Sequence, residues 1–360
     1  MKIPGIVRMI SLLHSTGAET GTKYELVNNV LDNLGVKDWS DPNNTFVDPA
    51  CGRGIFLLAI CERLEQAGIP REHIVKNMIY GCDIDEVQTM IAIKSFYLAS
   101  GITPNIYCDN SLTRMWNMKF NYAVGNPPYQ RADNKAKRWT LWEEFVKKSL
   151  ELADTVALVV PQSITSPNAS FNLIKDKCKV LNIDVNKHFS VGSTFCYFVA
   201  DNNQTITNTK IITNKQEYTY DISNAPFLPS IVTDETLQQL DELVARPRRT
   251  WKRGELHTSN DNKFSVDGKY EVMHTNAQTL RSNVEHANRT KIRVAVSLSG
   301  YPQFRVIQNQ YVTQACFWTE FATAADAEAF ADECNGKKIQ DLLKIFKWSG
   351  WNSKEVIQCL

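Results

Sequence analysis

The sequence predicts an α/β protein with a mostly parallel, doubly wound sheet, followed by a smaller α+β domain. Residues 46–64 and 78–98 each read as a short apolar strand, a tight turn and a helix. This is the repeating unit of a doubly wound sheet. Two further apolar strands follow at 105–108 and 122–124. Four strands in this order predict that their carboxyl ends lie along one edge, where such sheets bind ligands.

Length, charge and cysteine usage narrow the class of protein. The 360 residues suffice for two domains, and a net charge of +1 means that any nucleic acid is held by a local basic patch. The nine cysteines are scattered without a CxxC pair, which argues against zinc and a disulfide framework and favours a reducing cytoplasm. The apolar N-terminus is interrupted by Pro4, Arg8 and His14, so we expect no signal peptide or membrane span.

A polar loop precedes the first predicted helix. Thr22 is placed to cap a helix over about 23–34, which ends at Gly35. The pattern alone favours an ordinary amphipathic helix with a polar entry. The other interpretation is that this loop touches a ligand.

The first strand ends in a glycine-rich turn, DPACGRG, over 48–54. Gly52 and Gly54 allow close backbone approach, and the helix that follows directs N–H groups at a ligand. The spacing is neither GxGxxG nor a GKS/T loop, so a phosphate-binding P-loop is not expected. Asp48 at the strand end suits a ligand with an ammonium group; the alternative is a turn that binds nothing.

Acidic residues also end the second and third strands. Asp83 stands where a doubly wound fold binds ribose hydroxyls, whereas Asp85 is better placed to cap the next helix. Asp109 follows the third strand and could accept a hydrogen bond from an adenine amino group.

The fourth strand ends in Asn126-Pro127-Pro128-Tyr129. The prolines fix φ and stop the strand, so a stiff turn presents an amide, backbone carbonyls and an aromatic ring. Such a set suits a planar base that bears an amino group. Alone, the motif could equally be a proline-stiffened turn, but the three acidic strand ends before it favour a ligand site.

The rest of the first domain is less distinctive. Arg131, Lys137 and Arg138 form a short basic loop that either holds a phosphate backbone or is simply solvated. Helices are predicted over 139–152 and 171–181, with a buried strand at 156–160, and the residues around 188–199 predict a hairpin at the sheet edge.

The periodicity fades near residue 225, which divides the chain into domains of 1–225 and 226–360. A basic run with one tryptophan then follows a predicted helix over 231–245. Such interleaving predicts a nucleic-acid contact, with a solvated linker as the alternative. Its residues are Arg246, Arg248, Arg249, Trp251, Lys252 and Arg253. Strands at 291–296 and 304–307 and helices at 324–333 and 338–346 complete this domain.

With these motifs in place, the chain resembles the S-adenosylmethionine-dependent DNA adenine-N6 methyltransferases of the NPPY type, in which cofactor motifs come first and the target-recognition domain last. DPACGRG, GCDID over 81–85, Asp109 and NPPY carry the resemblance, which covers roughly 16–200. It implies a Rossmann-like methyltransferase fold with an antiparallel edge hairpin, and S-adenosyl-L-methionine as cofactor without a metal.

The resemblance also implies roles for single residues. Asp48, Ala50, Gly52 and Gly54 would surround the methionine part, Asp83 the ribose and Asp109 the adenine. Ile84 is the candidate to stack on that adenine, because Asn110 stands where the family often has an aromatic residue. Thr22 and Asn126 complete the cofactor site.

For the target, Asn126 and the Pro127 carbonyl would accept hydrogen bonds from the amine, and Pro128 would stiffen the turn. Tyr129 would stack on the flipped-out base. Phe195 is our choice for the second aromatic wall, with Tyr197 and Phe189 as alternatives.

The resemblance thus implies adenine-N6 methylation of double-stranded DNA in a prokaryotic or phage-infected cell. A separate restriction endonuclease is a candidate partner; we expect neither a fused nuclease nor a membrane partner. NPPY is shared with RNA-adenine and protein-glutamine methyltransferases, which are the alternatives, together with a non-catalytic relic that binds DNA.

Overall fold

The structure of the chain is a computed structural model. It describes residues 22–130, 141–167, 169–190, 192–254, 256, 264–265, 267–275, 279–285, 288–347 and 352–360. The chain forms two compact units that divide between Asn224 and Ala225, except that Thr165–Pro167 belong to the second. In the described part of the chain, no helix is long and apolar enough to span a membrane.

The first unit contains one sheet of nine strands in the order β3-β2-β1-β4-β5-β7-β6-β8-β9. Strands β1 to β5 pair in parallel, and β7 runs antiparallel between β5 and β6. The strands are β1 (Phe46–Asp48), β2 (Ile79–Asp83), β3 (Asn105–Cys108), β4 (Phe120–Gly125), β5 (Ala153–Pro161), β6 (Cys178–Asn182), β7 (Phe195–Asp201), β8 (Thr209–Thr213) and β9 (Gln216–Tyr220). The predicted fold class is confirmed.

Helices follow β1, β2, β4 and β5 along the chain, as the strand–turn–helix pattern predicted for the first two, and one further helix precedes β1. They are α1 (Tyr24–Asn33), α2 (Ile55–Gln66), α3 (Arg71–His73), α4 (Glu86–Ser100), α5 (Leu141–Leu152) and α6 (Ala169–Ile174), and a π-helical turn over Ile74–Met78 continues α3. In α1 the buried side chains, Leu26, Val27, Val30 and Leu31, recur at helical spacing. They give one apolar face that packs on α2.

Two local predictions in this unit are wrong. The helix expected over 171–181 ends at Ile174, and Cys178–Asn182 form β6 instead. The strand near residue 195 does not lie at the sheet edge. Every residue of β7 is buried, because β7 pairs with β5 and β6 on its two sides. Local sequence does not distinguish a central strand from an edge strand of the same composition.

The antiparallel edge hairpin is formed by β8 and β9. Asn214 and Lys215 connect them with φ of 49° and 62°. Two successive residues with positive φ are typical of the turn whose twist matches a two-residue hairpin.

The second unit is built on a four-stranded sheet, β10-β16-β13-β14, and a three-stranded sheet, β12-β11-β15. Its strands are β10 (Lys252–Arg253), β11 (Tyr270–Met273), β12 (Thr279–Ser282), β13 (Arg293–Ser297), β14 (Phe304–Ile307), β15 (Tyr311–Val312) and β16 (Cys316–Glu320). Its helices are α7 (Asp234–Val244), α8 (Ala324–Asn335), α9 (Lys337–Ile345) and α10 (Lys354–Ile357).

Candidate active site

The carboxyl ends of β1 to β4 lie side by side along one edge of the sheet. Asp48 at the end of β1 pairs with Gly81, and Asp83 at the end of β2 pairs with Cys108. Asp109 and Asn126 are the next residues after β3 and β4. The strand order thus brings together the four residues that the sequence placed at successive strand ends.

Asp83 ties the second strand to the glycine-rich turn. The Gly52 N–H donates to Asp83 Oδ2 over 2.8 Å, and the Asp85 N–H donates to Oδ1 over 2.9 Å. Gly52 has a φ of 51°, a left-handed conformation that other residues adopt at a cost. Each carboxylate oxygen keeps a further lone pair with which it could accept a hydroxyl. Asp85 caps α4, since its side chain accepts from the Gln88 N–H over 3.0 Å.

Asp48 lies behind the turn, with only 1% of its surface exposed. Burial raises the pKa of its carboxyl to about 8; the hydrogen bond from the Ala50 N–H, 3.0 Å long, lowers it, and the like charge of Asp83 raises it. A Cβ atom at Gly125 would come within 2.7 Å of Asp48 Oδ1. A larger residue where the end of β4 meets this carboxyl group would therefore have to displace it.

Asp109 is held by a cation that the sequence analysis missed. Arg114 Nη1 lies 3.0 Å from Asp109 Oδ2, and the guanidinium carbon lies 3.7 Å from the centre of the Tyr107 ring. The Asn110 N–H donates to the other oxygen over 2.7 Å. Arg114 carries no motif of its own, and only its position five residues after Asp109 could have suggested the pair.

A cavity of about 440 Å³ opens at this edge. Ala50, Asp83, Ile84 and Asp109, which are among the residues predicted to contact a cofactor, line it. The rest of the wall consists of Asn110, of Pro128 from the NPPY turn and of side chains that the sequence did not single out: Pro49, Ser111, Leu112, Gln130, Leu141 and Phe145. Leu141 and Phe145 are four residues apart on α5, a spacing that places them on one helix face.

Asn126 is hydrogen-bonded through both ends of its amide. Its Nδ2 donates to Thr22 Oγ1 over 2.9 Å, and its Oδ1 accepts from the Tyr129 hydroxyl over 2.5 Å. Thr22 therefore contacts the NPPY turn, although its side chain does not cap α1. The contact favours the interpretation of Thr22 as part of a ligand loop over that of a simple helix cap.

Three aromatic rings stack beside this amide. The ring centres of Tyr129 and Phe195 are 4.8 Å apart, and those of Phe195 and Phe189 are 4.2 Å apart. Tyr197 points elsewhere, since its hydroxyl donates to Asn29 Oδ1 over 2.8 Å. A base between two rings needs them about 7 Å apart, twice a van der Waals contact. The slot predicted between Tyr129 and Phe195 is therefore closed in this structure.

The basic residues predicted to bind DNA differ in their exposure, and some of them lie outside the described residues. Arg131, Lys137 and Arg138 lie outside the described residues. In the second unit, Arg248, Lys252 and Arg253 are exposed, and Arg246 and Arg249 are partly exposed. Trp251 is 2% exposed and packs edge-on against Phe304, so it belongs to the core and is not a surface contact.

The neighbours of this run explain the error. The Arg249 guanidinium lies 4.5 Å from the centre of the Phe321 ring, and Lys252 Nζ lies 5.1 Å from that of Trp318. The basic and aromatic alternation therefore partly reflects cation–π packing within the unit. For metals, no group of three His, Cys, Asp or Glu side chains is close enough to hold an ion within the described ranges.

Part of the chain is similar to known proteins. Residues 21–163 match the family model of the N-6 DNA methylases, which confirms the family resemblance over that segment. The chain is 29% identical over 127 residues to the type II restriction enzyme and methyltransferase RM.BcgI of Heyndrickxia coagulans, covering 32% of this chain and 20% of that protein. It is 32% identical over 124 residues to the type I restriction enzyme MjaIX methylase subunit of Methanocaldococcus jannaschii, covering 34% and 21%. The chain spans about a fifth of the length of these relatives.

Two solved structures share the fold over most of the chain. The ATP-dependent type ISP restriction-modification enzyme LlaBIII bound to DNA has a TM-score of 0.53, covering 89% of this chain and 35% of that one. The DrdV–DNA complex has a TM-score of 0.50, covering 94% and 54%. Both are 11% identical to this chain. At that level the likeness establishes the fold alone.

Proposed function

We propose that this chain transfers a methyl group from S-adenosyl-L-methionine to N6 of an adenine in double-stranded DNA. The observation that carries the proposal is the placement of the Asn126–Tyr129 turn on the same sheet edge as the acidic strand ends and their cavity. The match of residues 21–163 to the N-6 DNA methylases supports the same activity.

The chemistry of the cavity suits the proposed cofactor. Its volume is in the range of small-molecule sites. Asp83 would accept the ribose hydroxyls, and Ile84, 75% exposed, offers an apolar surface to the adenine. Asp48 is a buried carboxyl outside the lining of this cavity, and burial raises its pKa. An ammonium group of the cofactor would supply the charge that its carboxylate needs if the glycine-rich turn shifts to expose it. When bound, the cofactor supplies an electrophilic methyl group.

Asn126 and Pro127 would act on the target amine. An adenine amino nitrogen is a weak nucleophile because its lone pair is delocalised into the ring. Acceptors fixed before the reaction favour the pyramidal amine and stabilise the charge that develops on its nitrogen. The Thr22 hydroxyl holds the Asn126 amide so that its oxygen, rather than its NH₂ group, faces Tyr129.

Tyr129 would stack on the extruded base. Bringing the base out of the duplex costs a few kcal/mol, which stacking partly offsets. Because Tyr129 and Phe195 now touch, one of the two rings has to move before a base can enter. Phe195 is 4% exposed and lies between Tyr129 and Phe189, so Tyr129 is the ring that moves.

A transfer assay with three substrates tests the proposal. The protein is incubated with cofactor labelled in the methyl group and with genomic DNA, total RNA or a protein extract. We expect label in N6-methyladenine of DNA, and none with the Asn126→Ala variant. Label in RNA or in protein glutamine, without label in DNA, would overturn the proposal and favour one of the alternatives that share NPPY.

A further inference from the structure

We propose that the loop between β13 and β14 forms a nucleobase-binding site, in which Tyr301 stacks on a base of the bound DNA. This inference rests on the proposed function, because it names the surface by which the second unit contacts the same substrate. The main DNA contact of the second unit would then be this loop and not the basic run around Trp251, whose ring is in the core.

The loop carries an exposed aromatic ring at a fixed place. Tyr301 is 56% exposed, and Lys344 Nζ lies 5.8 Å from the centre of its ring. Gly300, the residue before it, has a φ of 75°, which turns the chain in a way that favours glycine. The exposed tyrosine ring offers a stacking surface to a base, whereas the Lys344 ammonium is already paired with Asp341 Oδ1 over 2.9 Å.

Side chains from the C-terminal part of the unit hold this loop in place. Lys347 Nζ donates to the Gly300 carbonyl over 2.7 Å, and Asn352 Nδ2 donates to that of Ser297 over 2.9 Å. Gln340 Nε2 donates to the Pro302 carbonyl over 2.8 Å. A loop anchored at two of its own carbonyls and at the end of β13 presents its ring with little entropy left to lose on binding.

A cavity of about 660 Å³ lies beside the ring. Gly300 and six side chains line it: Thr275, Ser299, Tyr301, Gln303, Asn335 and Gln340. All six are uncharged and can form hydrogen bonds. An uncharged lining that presents mostly apolar surface beside an aromatic ring suits the face of a nucleobase better than an anion.

Gln340 adds an unused acceptor to this wall. The residue is 4% exposed, and no described residue donates to its Oε1. Buried polar atoms are normally paired, so such an atom needs an explanation. The atom is buried in this structure, so a base that carries an amino group would supply the missing donor only if the Gln340 side chain turned its Oε1 towards the cavity. Nucleobases with phosphates occur both in DNA and as free nucleotides, and the experiment separates these sources.

The test measures binding of the full chain to a fluorescein-labelled duplex by anisotropy. Tyr301→Ala is expected to weaken binding about tenfold, the scale of losing one base–aromatic stack, while Tyr301→Phe keeps the ring and stays near wild type. Tyr97→Ala is the matched control, since Tyr97 is 54% exposed on α4 of the first unit. We expect it to bind as wild type, and thermal melting checks that all variants are folded.

A second measurement locates the contact. Duplexes with 5-iodouracil in place of thymine are irradiated with the protein, and crosslinked peptides are mapped by mass spectrometry; we expect crosslinks at Tyr301. Wild-type binding by Tyr301→Ala, with no crosslink in the loop, would overturn the inference. So would a dependence on Tyr301 seen only with free deoxyadenosine monophosphate and not with the duplex.

The outcomes also separate this inference from the proposed function. If the protein methylates DNA but Tyr301→Ala does not change DNA binding, only the inference is disproved. If DNA binding depends on Tyr301 but the wild-type protein transfers no methyl group, only the proposed function is disproved.

Discussion

The hydroxyl of Tyr129 donates a hydrogen bond to Oδ1 of Asn126, while the Tyr129 ring stacks on Phe195. The proposed acceptor of the target amine is thus already in use, and the proposed space for the base is filled by the ring that would stack on it. Tyr129 thus fills the proposed site of the substrate. Opening therefore requires the loss of one hydrogen bond and one ring contact, which the incoming base replaces.

The first prediction concerns this contact. Tyr129→Phe keeps the stacking surface but releases Asn126 Oδ1, so we expect methylation at least as fast as wild type in single-turnover assays. Tyr129→Ala removes the ring and should weaken binding of the extruded base by about 1–3 kcal/mol. Fluorescence of 2-aminopurine at the target position reports the extrusion. If Tyr129→Phe is as impaired as Tyr129→Ala, the hydroxyl has a positive role that the closed arrangement does not explain.

The second prediction concerns the amide itself. Asn126→Ala removes a preorganised acceptor, and we expect kcat to fall by about 10²–10³-fold, as for the loss of an oxyanion-hole donor. The affinity for the cofactor, measured by calorimetry, should change much less. An equal loss of cofactor binding would mean that Asn126 holds the cofactor more than it holds the target.

Thr22 provides a third and more specific prediction. Because its Oγ1 accepts from Asn126 Nδ2, Thr22→Val should let the amide turn and lower kcat, with little change in KM for DNA. Thr22→Ser keeps the hydroxyl and should restore the rate. A loss of activity in both variants would indicate a packing role, since both lack part of the native side chain.

The fourth prediction is a pH dependence of cofactor affinity. In the absence of a cation, the pKa of the Asp48 carboxyl is about 8 because of its burial, so below that pH the group is largely protonated. Pairing with an ammonium requires the carboxylate, and binding should release a proton. Affinity is therefore expected to rise from about pH 6 to about pH 8, and to fall above that as the cofactor amino group, with a pKa of about 8, loses its own proton.

Asp48→Asn is the control for that profile, because the amide does not titrate. Its cofactor affinity should be weaker and should lack the rise with pH.

The stability of the protein without cofactor depends on pH in the opposite direction. A carboxyl with a raised folded-state pKa favours folding at low pH and loses that contribution as the pH rises towards 8. Asp48→Asn should then unfold at a higher temperature than wild type in alkaline buffer, and an unchanged profile in both assays would contradict this account.

The fifth prediction separates core from surface in the second unit. Trp251 is buried, so Trp251→Ala should destabilise the unit by about 3–5 kcal/mol, the usual cost of such a cavity. Arg248 is exposed, so Arg248→Ala should leave the melting temperature unchanged. The slope of the logarithm of the DNA-binding constant against the logarithm of the salt concentration should become shallower by about one, which corresponds to one lost phosphate contact. Tryptophan fluorescence during thermal unfolding and DNA titrations at several salt concentrations provide the readouts.

Local sequence predicted most of the first unit because its signals are local. A short apolar run followed by glycine, aspartate or proline defines both where a strand ends and which polar group stands there. The ends of β1 to β4 and the positions of Asp48, Asp83 and Asp109 follow from that pattern. The capping role of Asp85 is equally local, since the donor is only three residues away.

Relations across the chain were decided by the tertiary structure. Thr22 and Asn126 are 104 positions apart, and the fit of Gly125 against Asp48 depends on β4 pairing with β1. The position of β7 in the sheet was also decided by the tertiary structure, because its composition is compatible with either an edge or an interior position. The burial of Trp251 was decided in the same way, because only packing determines whether a ring among basic residues faces solvent or the core. The sequence by itself determined which chemical groups end the strands, since that depends on neighbouring residues. The structure alone decided which of them meet and whether the base slot is open, since both depend on contacts between distant segments.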